Sequence, residues 1–292
     1  MNYVLLFVAV GLFVLQTLCF KEFSRIYMKD LASYFTFNSL YFVIVVVIMV
    51  VLNTKPQGIS LQTLLIAVPF GILFVVTILL YMKAMEHGPL SFSSLLFSFG
   101  LLMPILYGAL FYHESISLLQ IAALMLLFLT FYLGSVSTES GSTKFNAKWL
   151  LLCIWALIGN GLIMVLSKAH QMLSPGREVK EFLIVGFGTA AVLSLFMLLR
   201  QRYIIGQRTP HLTQWKFVLL VLGAGITTAF GNQIVLELSG RLPAIIQFPV
   251  VNGGIVLISS ILSVLVFREK LTRIKWMGLA LGLMALVLIC LH

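Results

Sequence analysis

Charge is what this sequence has least of. Asp, Glu, Lys and Arg make up only 10% of 292 residues, against 61% hydrophobic. A soluble domain cannot cover that much apolar surface, so a water-filled exterior is excluded. Cysteine is scarce too. Cys19, Cys153 and Cys290 lie in or at the ends of apolar runs, and none has CxxC spacing. They read as small packing residues rather than a disulfide framework or a thiolate metal site. The chain also lacks HExxH, paired membrane aspartates and a GxGxxG loop. That absence argues against an intramembrane enzyme, and no catalytic residue, metal or cofactor is expected.

What the chain does have is long apolar runs. Ten of them read as membrane spans, at about 3–20, 34–52, 61–82, 90–112, 117–134, 149–167, 181–199, 215–238, 243–267 and 273–291. Backbone groups in lipid must be satisfied within their own segment, so such runs become helices. The short alternating segments of a strand barrel are absent from the sequence. The expected fold class is therefore an all-α polytopic membrane protein. The first run has no basic residue ahead of it and no small-residue cleavage site after it, so it reads as a retained helix. The net charge of +10 is no nucleic-acid signal, because the basic residues are scattered between apolar runs.

One polar, Ser/Thr/Gly-rich stretch interrupts the pattern, with its linker at 138–148. It separates residues 1–137 from 149–292, with five spans on each side, in what reads as one integral membrane domain. The two halves share phrases. At an offset of 155, "YHESIS" overlies "FREKLT", so Glu114 meets Glu269 and Ser117 meets Thr272. Gly88-Pro89 falls within a residue of Pro243-Ala244, and at an offset of 147 Lys21 meets Lys168. This is the signature of a duplication. Five is odd, so the second copy enters the membrane inverted, an architecture of secondary transporters. Charge agrees. The loop with Lys55 alone corresponds to one holding Arg200, Arg202, Arg208 and Lys216, as expected of equivalent loops on opposite faces. Taken by charge, both termini lie outside.

The hairpins carry a family resemblance. Pro104, Glu114, Gln120 and Gly134 in the first half, and Glu269, Trp276, Gly278 and Gly282 within "VFREKLTRIKWMGLALGLMALVLI" in the second, resemble the drug/metabolite transporter superfamily, in particular its ten-span EamA-like members. The family often has Gly before the Glu, where this chain has His113 or Arg268. The resemblance implies ten helices as two inverted five-helix repeats around a central cavity opened alternately to each side. Spans one, three, four, six, eight and nine would line that cavity. The compact loops suit a bacterial inner membrane.

Polar residues inside spans are costly and usually face the bundle interior. Gln16 lies in the first span, Tyr81 in the third, Trp155 and Asn160 in the sixth, and Asn252 in the ninth. The eighth span holds Thr228, Asn232, Gln233 and Glu237. These are the expected substrate-binding residues, though interhelical packing explains any one of them as well. Glu237 either titrates as a coupling group or pairs with Arg241 one turn on. Lys21 and Lys168 read as interfacial snorkelling residues, or as gate charges. Glu114 and Glu269 are expected to cap the helix that follows each.

The composite expectation is a secondary active transporter of a small polar metabolite, an amino acid or similar zwitterion. Export by alternating access is expected, with a proton or ion as coupling partner. Quaternary ammonium ions held by aromatic rings are the alternative substrate. A non-transporting membrane sensor or scaffold is the alternative of another class. The partners would be a small molecule and the lipid bilayer, with the chain a monomer or homodimer.

Overall fold

The computed structural model describes residues 2–27, 30–56, 58–87, 93, 96–135, 147–205, 214–267 and 273–290. Most of the 138–148 linker, together with Gly88-Pro89, Arg268, Glu269 and Thr272, lies outside them. Among the described residues the secondary structure is helical, with no strand. The helices are α1 (Asn2–Ile26), α2 (Leu31–Leu52), α3 (Leu61–His87), α4 (Leu102–Tyr112), α5 (Leu118–Ser135), α6 (Ala147–Leu173), α7 (Val179–Ile205), α8 (Trp215–Ser239), α9 (Ala244–Phe267) and α10 (Arg273–Cys290). A 3-10 turn at Phe99–Leu101 leads into α4. Among the described residues six helices, α1, α2, α3, α6, α7 and α8, are long and apolar enough to cross a membrane. The chain is thus a helical, multi-pass membrane protein. Large apolar side chains such as Val51, Val192 and Phe196 stay exposed, as lipid-facing residues do.

Helix ends follow local chemistry. Asp30 caps α2 by accepting from the Ser33 amide at 2.8 Å and its hydroxyl at 2.7 Å. At the start of α5, Ser117 Oγ accepts from the Gln120 amide at 3.2 Å, and Gln120 Oε1 accepts from the Ser117 amide at 3.0 Å. This reciprocal capping box satisfies two donors that the helix leaves over. The α4 helix stops at His113, which adopts a left-handed φ of 52°.

The chain forms two compact units, and each draws helices from both halves of the sequence. The first holds 3–75 and 170–240; the second holds 76–169 and 241–292 apart from residues at the very N-terminus. In the first unit α2 packs on α7 and α8, and α7 on α8. The end of α2 meets the start of α7: Lys180 Nζ donates to Leu52 O at 2.7 Å, and Asn53 Nδ2 donates to Glu181 Oε1 at 2.8 Å. The two helices therefore run antiparallel. Close approach requires glycine here, because a methyl group on Gly71 of α3 would collide with the Gly186 carbonyl of α7. Around them sit packed rings, with Phe23 stacked on Phe37 at 4.0 Å between centroids and Phe70 tilted against Phe182 at 5.0 Å.

In the second unit α5 packs on α10, and α9 packs on α4, α5 and α10. Gly253 of α9 faces Leu127 and Leu286, and Gly282 of α10 faces Leu257 and Thr130. Gly278 and Gly282 thus fall in a helix whose small-residue face is taken up internally. Gly108 near the end of α4 lies against Ala244 at the start of α9, so this pair is antiparallel too.

Candidate functional site

In the first unit the polar side chains expected to meet substrate lie on α1 and α8. Gln16 Nε2 donates to Thr228 Oγ1, whose own hydroxyl donates to Ala224 O at 2.6 Å. Asn232 Nδ2 donates back to Thr228 O at 2.8 Å. Gln16, Thr228 and Asn232 are therefore brought into one hydrogen-bonded row. On the neighbouring face Gln233 Nε2 donates to Glu237 Oε1 at 3.0 Å. Of the two readings of Glu237, the ion pair with Arg241 is not found among the described residues. The partner of the Glu237 carboxylate is the Gln233 amide. Lys21 sits half-buried near the end of α1.

In the second unit Asn160, Met164 and Lys168 recur at four-residue steps, one face of α6. Asn160 Nδ2 donates to Phe97 O at 3.1 Å. Packing is close there: a methyl group on Gly100 would lie 2.9 Å from Leu157 O and 3.0 Å from Asn160 Nδ2. Asn252 Nδ2 of α9 donates to Phe248 O at 2.9 Å and approaches Met164 Sδ at 4.0 Å. Tyr81 packs its ring on Phe97 at 4.4 Å. Trp155 is 54% exposed and has no ring partner among the described residues. The asparagines share one feature across both units. Asn160, Asn232 and Asn252 each spend the amide nitrogen on a backbone carbonyl, while Oδ1 accepts from no described residue. Each therefore keeps an acceptor in reserve.

Lys168 departs from the expectation of snorkelling. It is 1% exposed, and its ammonium contacts Glu114 Oε1 at 2.6 Å and donates to Leu242 O at 2.8 Å. Nor does Glu114 cap the helix that follows it, a task done by Ser117 and Gln120. Its Oε2 accepts instead from the amide of Ala244, the first residue of α9, at 2.7 Å. The carboxylate thus sits at a helix N-terminus 130 residues away and is neutralised by a lysine from a third helix. Gly108 leaves room for it, since a methyl group there would strike the carboxylate. One signal in the sequence pointed to this pairing. Lys21 recurs as Lys168 and Glu114 recurs as Glu269, so opposite charges recur together.

Sequence reasoning missed a second polar group, in the first unit. Thr63, His170, Gln171 and Glu178 gather at the start of α3 and the α6–α7 turn. Partial burial pushes the Glu178 carboxyl up, but hydrogen bonds from the Thr63 hydroxyl and from the Ser60 amide and hydroxyl outweigh it and hold it below its ordinary value. A histidine at the end of an apolar run was the available signal.

Comparison with known proteins adds the fold and a relative. No family model matches the chain. An uncharacterized protein of Haemophilus influenzae is 24% identical over 222 residues, 74% of this chain and 72% of that protein. A protein solved by crystallography aligns at a TM-score of 0.76 over 99% of this chain and 96% of its own, at 15% identity. At that identity the likeness is one of fold alone.

Proposed function

We propose that the chain is a ten-span secondary transporter of the drug/metabolite transporter superfamily, EamA-like, built as two inverted repeats. It moves a small polar metabolite, an amino acid or similar zwitterion, by alternating access in the direction of export. The observation that carries the reading is the pairing of counterparts. Helices α2 and α7 are second in their respective halves, and α4 and α9 are fourth; each pair packs together and runs antiparallel. Helices α5 and α10, each fifth in its half, also pack together. Copies related by an in-plane two-fold axis pair in this way. A plasma (inner) membrane of bacterial type suits the short connections.

The asparagines support the substrate class. Acceptor oxygens within apolar helices suit a solute that brings N–H donors, as the ammonium of an amino acid does. Asn160 and Asn232 are the proposed principal substrate contacts, and Gln16, Thr228, Gln233 and Asn252 the further candidates. The exposure of Trp155 and the engagement of Tyr81 with Phe97 speak less for a cage of rings around a quaternary cation. Glu237, Lys21 and Lys168 remain the proposed coupling or gate groups.

A thermal-shift screen of detergent-purified protein against amino acids, polyamines, quaternary ammonium compounds and nucleotide sugars tests this. A ligand at 100 times its dissociation constant stabilises by about 2.7 kcal/mol. The expected hits are amino acids, with the shift lost in Asn160→Ala and Asn232→Ala. A response to quaternary ammonium compounds alone would refute the substrate assignment.

A further inference from the structure

The cluster at the α6–α7 turn has no part in the reading above. His170 and Gln171 come from the last turn of α6, Thr63 from the first turn of α3, and Glu178 from just ahead of α7. His170 is 1% exposed, and Thr63 and Gln171 are wholly buried. His170 Nε2 lies 2.8 Å from Thr63 Oγ1, and Nδ1 lies 2.9 Å from Gln171 Nε2.

These contacts fix the tautomer. The Gly176 amide lies 3.1 Å from Gln171 Oε1, and a backbone N–H can only donate. Gln171 therefore has its oxygen toward Gly176 and its nitrogen toward His170. The same nitrogen reaches Arg177 O at 3.4 Å. An amide nitrogen offers hydrogens only, so His170 Nδ1 must be the acceptor. The ring proton then sits on Nε2 and is donated to Thr63 Oγ1. The Thr63 hydroxyl passes its own hydrogen to the Glu178 carboxylate. Glu178 Oε2 also accepts from Ser60 Oγ at 2.8 Å and Ser60 N at 3.0 Å.

We infer that His170 is a proton-binding site whose occupation is coupled to the shape of the α6–α7 turn. A proton from water, taken up by the Nδ1 lone pair, leaves the ring with an N–H at both nitrogens. The new N–H faces the Gln171 amide hydrogens, donor against donor, with both side chains buried. Gln171 resolves this by turning its amide. It then offers Oε1 to the imidazolium and lets go of Gly176 and Arg177. Those two bonds hold a turn with two left-handed residues, Gly176 at φ 68° and Glu178 at φ 50°. The charged ring keeps a counter-charge, because Glu178 lies one hydroxyl away from Nε2. From α7 the ring meets Phe182 at 4.5 Å. The other charges of the turn are directed elsewhere: Lys180 to Leu52 O, Glu181 to Asn53, and the Arg177 side chain exposed. Proton binding here is independent of whether the chain carries a solute.

The test is NMR of the intact protein in detergent, labelled at its five histidines, with His170→Gln assigning the His170 signals. Hydrogen exchange of the peptide spanning Gln171 to Glu178, corrected for the intrinsic effect of pH, reads the turn. At neutral pH we expect Nε2 protonated and Nδ1 bare. On acidification the ring titrates, and protection of the turn is lost over the same pH range. Gln171→Glu supplies an acceptor and keeps the ring charged at a pH where it is neutral in the wild type. Gln171→Leu releases the turn at every pH. An Nδ1-protonated tautomer at neutral pH would overturn the inference. So would a ring that never titrates in the folded protein, or titration with the turn unchanged.

Discussion

At the scale of the residue, His113 shows how sequence and backbone constrain each other. It ends α4 in a left-handed conformation, where its amide donates to Gly108 O. A side chain there costs more than glycine does. The resemblance named in the sequence, in which glycine often stands before the Glu, has its physical reason in this geometry. His113 is exposed and has no side-chain bond among the described contacts. His113→Gly should therefore raise stability by roughly 0.5–1 kcal/mol. Thermal unfolding in detergent would check it; a fall in melting temperature would mean that the imidazole has a role the backbone does not reveal. The embedded asparagines were legible as polar residues in apolar runs. Their half-used amides were not, because which nitrogen meets which carbonyl depends on rotamers that no spacing encodes.

At the scale of the element, the Glu114–Lys168 pair joins three pieces of chain that sequence alone holds far apart. The turn after α4 supplies the carboxylate, α6 the ammonium, and the entry to α9 the Leu242 carbonyl and the Ala244 amide. Removing one partner of a buried pair strands the other charge. Lys168→Met should destabilise by about 3 kcal/mol or more, and adding Glu114→Gln should recover a good part of that. Melting temperatures of the two variants, compared with an exposed-lysine control such as Lys83→Met, would show it. If the double variant melts no higher than the single one, the lysine acts through packing rather than charge. Helix positions followed from apolar runs, since lipid leaves the backbone no alternative. The Ser117–Gln120 capping box was legible in hindsight from Ser-x-x-Gln ahead of an apolar run. The long-range capping of α9 by Glu114 was not, because a carboxylate after a helix usually serves its own neighbourhood.

At the scale of the whole molecule, phrases that recur at fixed offsets were legible in the sequence, and the proposed duplication rests on them. The compact units were not, because each mixes helices from both halves. A division by sequence and a division by contact therefore answer different questions. Within the first unit α2 and α7 run antiparallel, as the proposed inversion requires of counterparts. Transport by such a scaffold predicts exchange of solute across a sealed bilayer with no other protein present. The direct measurement is counterflow of labelled amino acids in proteoliposomes, with empty liposomes and the Asn232→Ala protein in parallel. The account predicts transient accumulation of label in wild-type vesicles loaded with the same amino acid, and loss of most of that accumulation in Asn232→Ala. Folded, correctly inserted wild-type protein that exchanges no more label than empty liposomes, across the amino acids and the quaternary ammonium compounds alike, would contradict it.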